Sequence, residues 1–208
     1  MSNLENRFVE IESLELREEQ GENEDQKYVE GLGVVYDKEV KIYDGYYEKI
    51  RAGALSKSIA DGHEIKSCFN HKADYILATT KSNPALELRD TQQGLYFKAP
   101  IPPTSYGEDL KINLSRKNVR GASFTFSVDE GGDILTRDED GVYHREIISA
   151  KLYEVGPVLN PAYASTKVKL RSSEELINEA EKRCNPVVEV KNNVGNKQKL
   201  INLIQRSF

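Results

Sequence analysis

One stretch sets the terms for the whole chain. In Ala122-Ser123-Phe124-Thr125-Phe126-Ser127-Val128, apolar and small polar side chains alternate without interruption. That period of two is the signature of a strand with one face against a core. A helix would spread these aromatics around its axis, so the fold must supply a sheet and a layer to cover Phe124 and Phe126. The rhythm recurs at Leu86 and Leu88, and at Leu95, Phe97, Ala99 and Ile101 after the connection Thr91-Gln92-Gln93-Gly94. Further strands are predicted over 29–36, whose glycines suggest a bulge, over 65–70 ending at His71, and over 143–148 and 151–155. Turns are expected at 41–45 and 130–133, and Pro157 with Pro161 is expected to close the core. Two helices interrupt the strands. One gathers Ile50, Ala54, Leu55, Ser58 and Ile59 on a face and stops at Asp61-Gly62. The other runs over 109–117, with Leu110 and Leu114 one turn apart and Thr104 available as a cap. Short strands at regular spacing with few helices predict an α+β protein, a curved antiparallel β-barrel with helices around it.

The ends look different from this middle. Of 208 residues, 38% are hydrophobic and 30% charged, with a net charge of −5, which is lean for one compact domain. Residues 1–30 hold ten acids against Arg7, Arg17 and Lys27, while 166–208 carry an excess of four positive charges and the middle is close to neutral. The stretch 18–27 has no apolar member and reads as a linker. Beyond Leu170, Ser172 or Ser173 can cap a helix carrying Leu176, Ile177 and Ala180, and a short amphipathic piece begins at Lys199. The expected organisation is an acidic extension over 1–27, a folded domain over 28–171, and a basic, partly helical tail over 172–208. No window reaches the eighteen or so apolar residues of a spanning helix, and the start lacks the basic and apolar regions of a secretory signal. Cys68 and Cys184 lie far apart with no CxxC, which argues against a disulfide scaffold or a cysteine zinc site. A soluble, intracellular protein is expected, and the middle has no basic cluster that would mark a nucleic-acid surface.

Few residues can carry chemistry. The chain has three histidines. His63 stands beside a turn and reads as a surface residue; His144 lies in a strand next to Arg145 and Glu146; His71 directly follows a strand, where its backbone is fixed and its ring can enter a cleft. Ser123 is on the polar face of the clearest strand, beside Thr125 and Ser127, where a solvent-facing strand edge is the ordinary explanation. Glu154 sits within the apolar run Leu152-Tyr153-Glu154-Val155-Gly156-Pro157-Val158, where a carboxylate needs a partner. Pairing with His71 and pairing with Arg145 are equally open. No GxSxG elbow, P-loop, dinucleotide fingerprint or HExxH occurs, and neither acidic turn completes a calcium loop.

Taken in order, Tyr47-Glu48-Lys49-Ile50-Arg51-Ala52-Gly53-Ala54-Leu55, Phe69-Asn70-His71, Gly94-Leu95-Tyr96-Phe97, Gly121-Ala122-Ser123-Phe124-Thr125-Phe126, Leu152-Tyr153-Glu154-Val155-Gly156-Pro157-Val158 and Pro161-Ala162-Tyr163 resemble the prohead (capsid maturation) protease family of tailed bacteriophages. The likeness covers about 28–171. It implies a serine endopeptidase with a fold similar to the herpesvirus assembly proteases, with His71 as base, Ser123 as nucleophile and Glu154 as third member. Herpesvirus enzymes use a second His there, which keeps His144 in view, and Glu146 beside it. Arg145 is a candidate to steady the site through a water. The family often has Met and Gly where this chain has Ala122 and Thr125, and Ser where it has Gly156. The resemblance further implies the major capsid protein and scaffold segments as substrates inside the immature shell in the host cytoplasm. It calls for no cofactor, metal, nucleic acid or membrane, and it allows a homodimer and cleavage of the chain's own ends. The competing reading is an inactive relative that serves as a scaffold or capsid-binding module.

Overall fold

A computed structural model describes residues 4–10, 14–18, 26–159 and 173–184. The strands are β1 (Leu4–Glu10), β2 (Glu15–Glu18), β3 (Lys27–Val35), β4 (Val40–Tyr43), β5 (Tyr46–Ile50), β6 (Lys66–Cys68), β7 (Ile76–Thr79), β8 (Glu87–Asp90), β9 (Gly94–Pro100), β10 (Val119–Ser127), β11 (Asp133–Arg137), β12 (Tyr143–Ile147) and β13 (Lys151–Leu159). The helices are α1 (Ser56–Ala60), α2 (Ser105–Ser115) and α3 (Ser173–Cys184). A 3-10 turn at Phe69–His71 continues β6, and a second follows at Ala73–Tyr75.

The α+β class is as expected, but the closed antiparallel barrel is not what the ladders form. Among the described residues the strands divide into three open sheets, ordered β1-β10-β13-β6-β7, β11-β12-β5-β4 and β2-β3-β9-β8. Two pairings, β5 with β12 and β6 with β13, are parallel. Periodicity cannot reveal this, because a side-chain period of two is the same in either direction. The first and third sheets face each other across the main core. Val29, Val34, Leu95 and Phe97 come from one side and Ala122, Phe124, Phe126, Leu152 and Val155 from the other, each no more than 1% exposed. Gly33 permits the close approach: a Cβ there would strike Val155. Each large apolar side chain so buried contributes about 1.5–3 kcal/mol.

Several boundaries moved for local reasons. Ile50 belongs to β5, where Tyr46, Glu48 and Ile50 alternate inward, so α1 is only five residues long. Helix α2 starts earlier than expected, directly after Thr104, whose hydroxyl accepts the Gly107 N–H at 3.2 Å. Pro157 does not end β13 but lies within it, opposite Ala122. Strand β6 accompanies β13 only at Glu154, so a residue without an N–H is tolerated beyond that point. The strand β11 was not anticipated, nor were β1 and β2 inside the acidic first 27 residues. Helix α3 forms where a tail helix was expected and packs on the second sheet, in a cluster of Tyr46, Tyr143 and Ala180 with Ile177 and Leu135. The piece beginning at Lys199, Pro161 and most of the 18–27 stretch lie outside the described residues. No described helix is long and apolar enough to cross a membrane.

Candidate active site

Three neighbouring strands of the first sheet, β10, β13 and β6, each deliver one polar group to the face turned away from the main core. Ser123 lies in β10 directly opposite Gly156 of β13, and Thr125 is opposite Glu154. Cross-strand partners share a face, so Ser123 and Glu154 are on the same side of the sheet. His71 arrives from the end of β6. The chain there turns through left-handed backbone at Asn70 (φ 56°) and His71 (φ 55°). Such values are uncommon outside glycine, and Asn is among the residues that adopt them most readily. The Asn70 side chain fastens this turn to β13 by accepting the Leu159 N–H at 2.8 Å. Gly156 makes the approach feasible, since a Cβ on it would collide with the Cys68 backbone.

The result is a continuous hydrogen-bonded line. His71 Nδ1 lies 2.9 Å from Glu154 Oε1, and His71 Nε2 lies 2.5 Å from Ser123 Oγ. The open choice for Glu154 is resolved in favour of His71. Arg145, the candidate to steady the site through a water, is instead engaged with carboxylates, donating to Glu5, Glu48 and Asp133. With Nδ1–H donated to the carboxylate, the Nε2 lone pair faces the serine hydroxyl, which is the arrangement that lets an imidazole receive its proton. Cys68, close by, is no rival nucleophile: burial, and then the Glu154 charge, push its thiol up to about 12.

The other candidates lie apart from this line. His144 of β12 is held between Glu39 and Asp138, and Glu146 pairs with Lys49 and Arg51, all outside the first sheet. His63 is not the surface residue expected; it is half-buried, with Nε2 donating to Leu152 O at 2.6 Å. The polar face of β10 is likewise not a solvent-facing edge. Ser123 is only 3% exposed, because β1 pairs along β10 with Phe8 opposite Ser123. The serine hydroxyl also lies 2.8 Å from the Arg7 carbonyl of that strand, as donor to acceptor. One proton cannot serve two acceptors, so while Arg7 O holds it, His71 cannot. Sequence reasoning missed this covering strand because Glu5, Arg7 and Glu10 look like part of a solvated acidic extension.

The chain resembles known proteins at two levels. No curated protein matches it. Among solved structures, the bacteriophage T4 capsid assembly protease gp21 aligns with a TM-score of 0.53 at 14% identity, covering 76% of this chain and 98% of that one. Identity so low establishes likeness of fold alone. The model of the caudovirus prohead serine proteases, in contrast, matches residues 12–181, most of the chain. By that match the chain belongs to the caudovirus prohead serine protease family and is a serine endopeptidase of bacteriophage capsid maturation.

Proposed function

We propose that this endopeptidase cleaves scaffold and capsid-protein segments inside the immature shell, with Ser123 as nucleophile, His71 as general base and acid, and Glu154 as the group that orients the imidazole. The observation that carries the reading is the Glu154–His71–Ser123 line with its 2.9 and 2.5 Å separations. As Ser123 Oγ attacks a peptide carbonyl, His71 Nε2 takes its proton and then gives it to the departing amine. Glu154 keeps Nδ1 protonated and stabilises the imidazolium without accepting the proton itself. The reaction consumes only water, and these three residues supply its proton transfers.

The state described is a resting one. A substrate cannot reach a serine that is 3% exposed, so β1 has to leave β10 before turnover. The chain's own ends, on either side of the domain assigned to 28–171, are candidate substrates or docking segments for the shell. An inactive scaffold relative is the competing reading; the joined His71 and Ser123 favour the enzyme, since a purely structural protein gains nothing from that alignment.

The test is co-expression with the major capsid protein under assembling conditions, using wild type and Ser123→Ala, followed by intact-mass measurement of both proteins. Shortened capsid and protease chains in wild type, and full-length ones in S123A, are expected. Identical capsid-protein masses with wild type and S123A would sink the assignment.

A further inference from the structure

Strand β1 is held in place by a charge cluster that also reaches the other end of the chain. Arg7 donates to Glu48 of β5 at 2.6 and 2.7 Å and to Glu5 at 2.8 Å. Arg145 of β12 grips Glu5 with both terminal nitrogens, at 2.7 and 2.9 Å, and also donates to Glu48 at 3.0 Å. The same guanidinium donates through Nε to Asp133 of β11 at 2.6 Å. Asp133 in turn accepts from Arg183 of α3, at 2.6 Å on one oxygen and 3.2 Å on the other. Three cations and three anions thus form one connected group, with the N-terminal strand at one end and the C-terminal helix at the other.

The balance depends on Arg183. Glu48 is 3% exposed and Arg145 7%, so most of the cluster lies away from solvent, where an uncompensated charge is costly. Burial alone would raise the Glu5 carboxyl, yet the Arg145 and Arg7 guanidiniums hold it below its ordinary value. Asp133 behaves in the same way between Arg183 and Arg145. Without Arg183, three carboxylates share Arg7 and Arg145. Asp133 then depends on Arg145 alone, the same guanidinium that grips Glu5 of the removable strand β1.

We propose that α3 controls the release of β1: docked, it completes the charge balance that keeps the strand over Ser123, and detached or cut away, it loosens that strand and primes the enzyme. This rests on the reading that β1 covers the nucleophile. The coupling is reciprocal, so departure of β1 weakens the docking of α3 to the same degree. Whatever binds or trims the C-terminal segment therefore acts on an active site with which α3 shares no residue.

Hydrogen exchange on the full chain tests the coupling directly. In Arg183→Ala, exchange of the β1 amides is expected to rise about five-fold, the low end of typical couplings because Arg183 is partly solvated. Arg183→Lys should fall between this variant and wild type, Lys182→Ala should match wild type, and unchanged protection of β9 shows that the core is intact. Equal β1 exchange in wild type and R183A overturns the proposal. A second arm isolates the reading beneath it. Glu5→Gln removes an anchor of β1, so it should speed labelling of Ser123 by a fluorophosphonate. If E5Q raises β1 exchange but labels no faster, β1 is not the cover, and the role of α3 in priming falls with it. If E5Q labels faster while R183A leaves β1 exchange unchanged, the cover stands and only the coupling is lost.

Discussion

His71 and His144 each bridge two side chains, and the difference between their partners separates the proposed proton carrier from a clasp. His144 stands in a regular strand, 2.8 Å from Glu39 and 3.2 Å from Asp138, with its ring stacked on Tyr47. Two carboxylates accept only, so both ring nitrogens must donate, and the hydrogen bond to Glu39, followed by that to Asp138, raises the pKa of the ring. Such a ring is best held protonated and has no lone pair to offer. His71 has a carboxylate on one side and a hydroxyl on the other, and it sits on a left-handed turn instead of a ladder. A hydroxyl can donate, which leaves Nε2 free to receive. The lesson is that a histidine's chemistry is set by what faces its second nitrogen.

That contrast can be broken in graded steps. The largest effect is expected from His71→Ala, a fall in kcat/KM on the order of 10⁴-fold or more, while His144→Gln retains activity within about two-fold. Similar losses in both would erase the distinction. Next comes Glu154→Gln, which keeps the shape but no longer stabilises the imidazolium; kcat should drop about 10²- to 10⁴-fold with KM little changed. A loss confined to KM would make Glu154 a substrate contact instead. The smallest effect sharpens the other side. His144 is partly exposed, so H144Q should cost no more than about 1 kcal/mol of stability. Because the folded ring has a raised pKa, its contribution is fully present below the ordinary value of 6.5 and is lost as pH rises through the folded value. Melting temperatures of wild type and H144Q should differ most on the acid side and converge on the alkaline side; a gap that widens with pH would contradict the clasp.

The sequence made one half of the site visible. Alternation from Ala122 to Val128 tells which face Ser123 takes, and the ordered motifs tell which family the chain resembles. It did not tell what lies over that face. Glu5 and Arg7 look solvated because the partners that bury them, Glu48 and Arg145, are 41 and 140 residues away. The left-handed turn at Asn70 and His71 leaves no mark in hydropathy, since it is stabilised by a bond to Leu159 on another strand. Residue type alone left Glu154 between two partners, and only the parallel placement of β6 beside β13 brings His71 within reach of it. The barrel expectation failed for the same reason: strand rhythm counts strands but does not say which ones meet.

The order β1-β10-β13-β6-β7 has a consequence for when this molecule becomes capable of harm. Synthesis runs from the N-terminus, and of the thirteen strands among the described residues the one made last is inserted between β10 and β6. Until β13 has emerged, the sheet remains in two halves, with Ser123 on one and His71 on the other. A nascent or truncated chain therefore carries a serine and a histidine with no strand to bring them into line. If Ser123 and His71 act as proposed, insertion of β13 is the step that assembles them, independently of the strand that covers the serine.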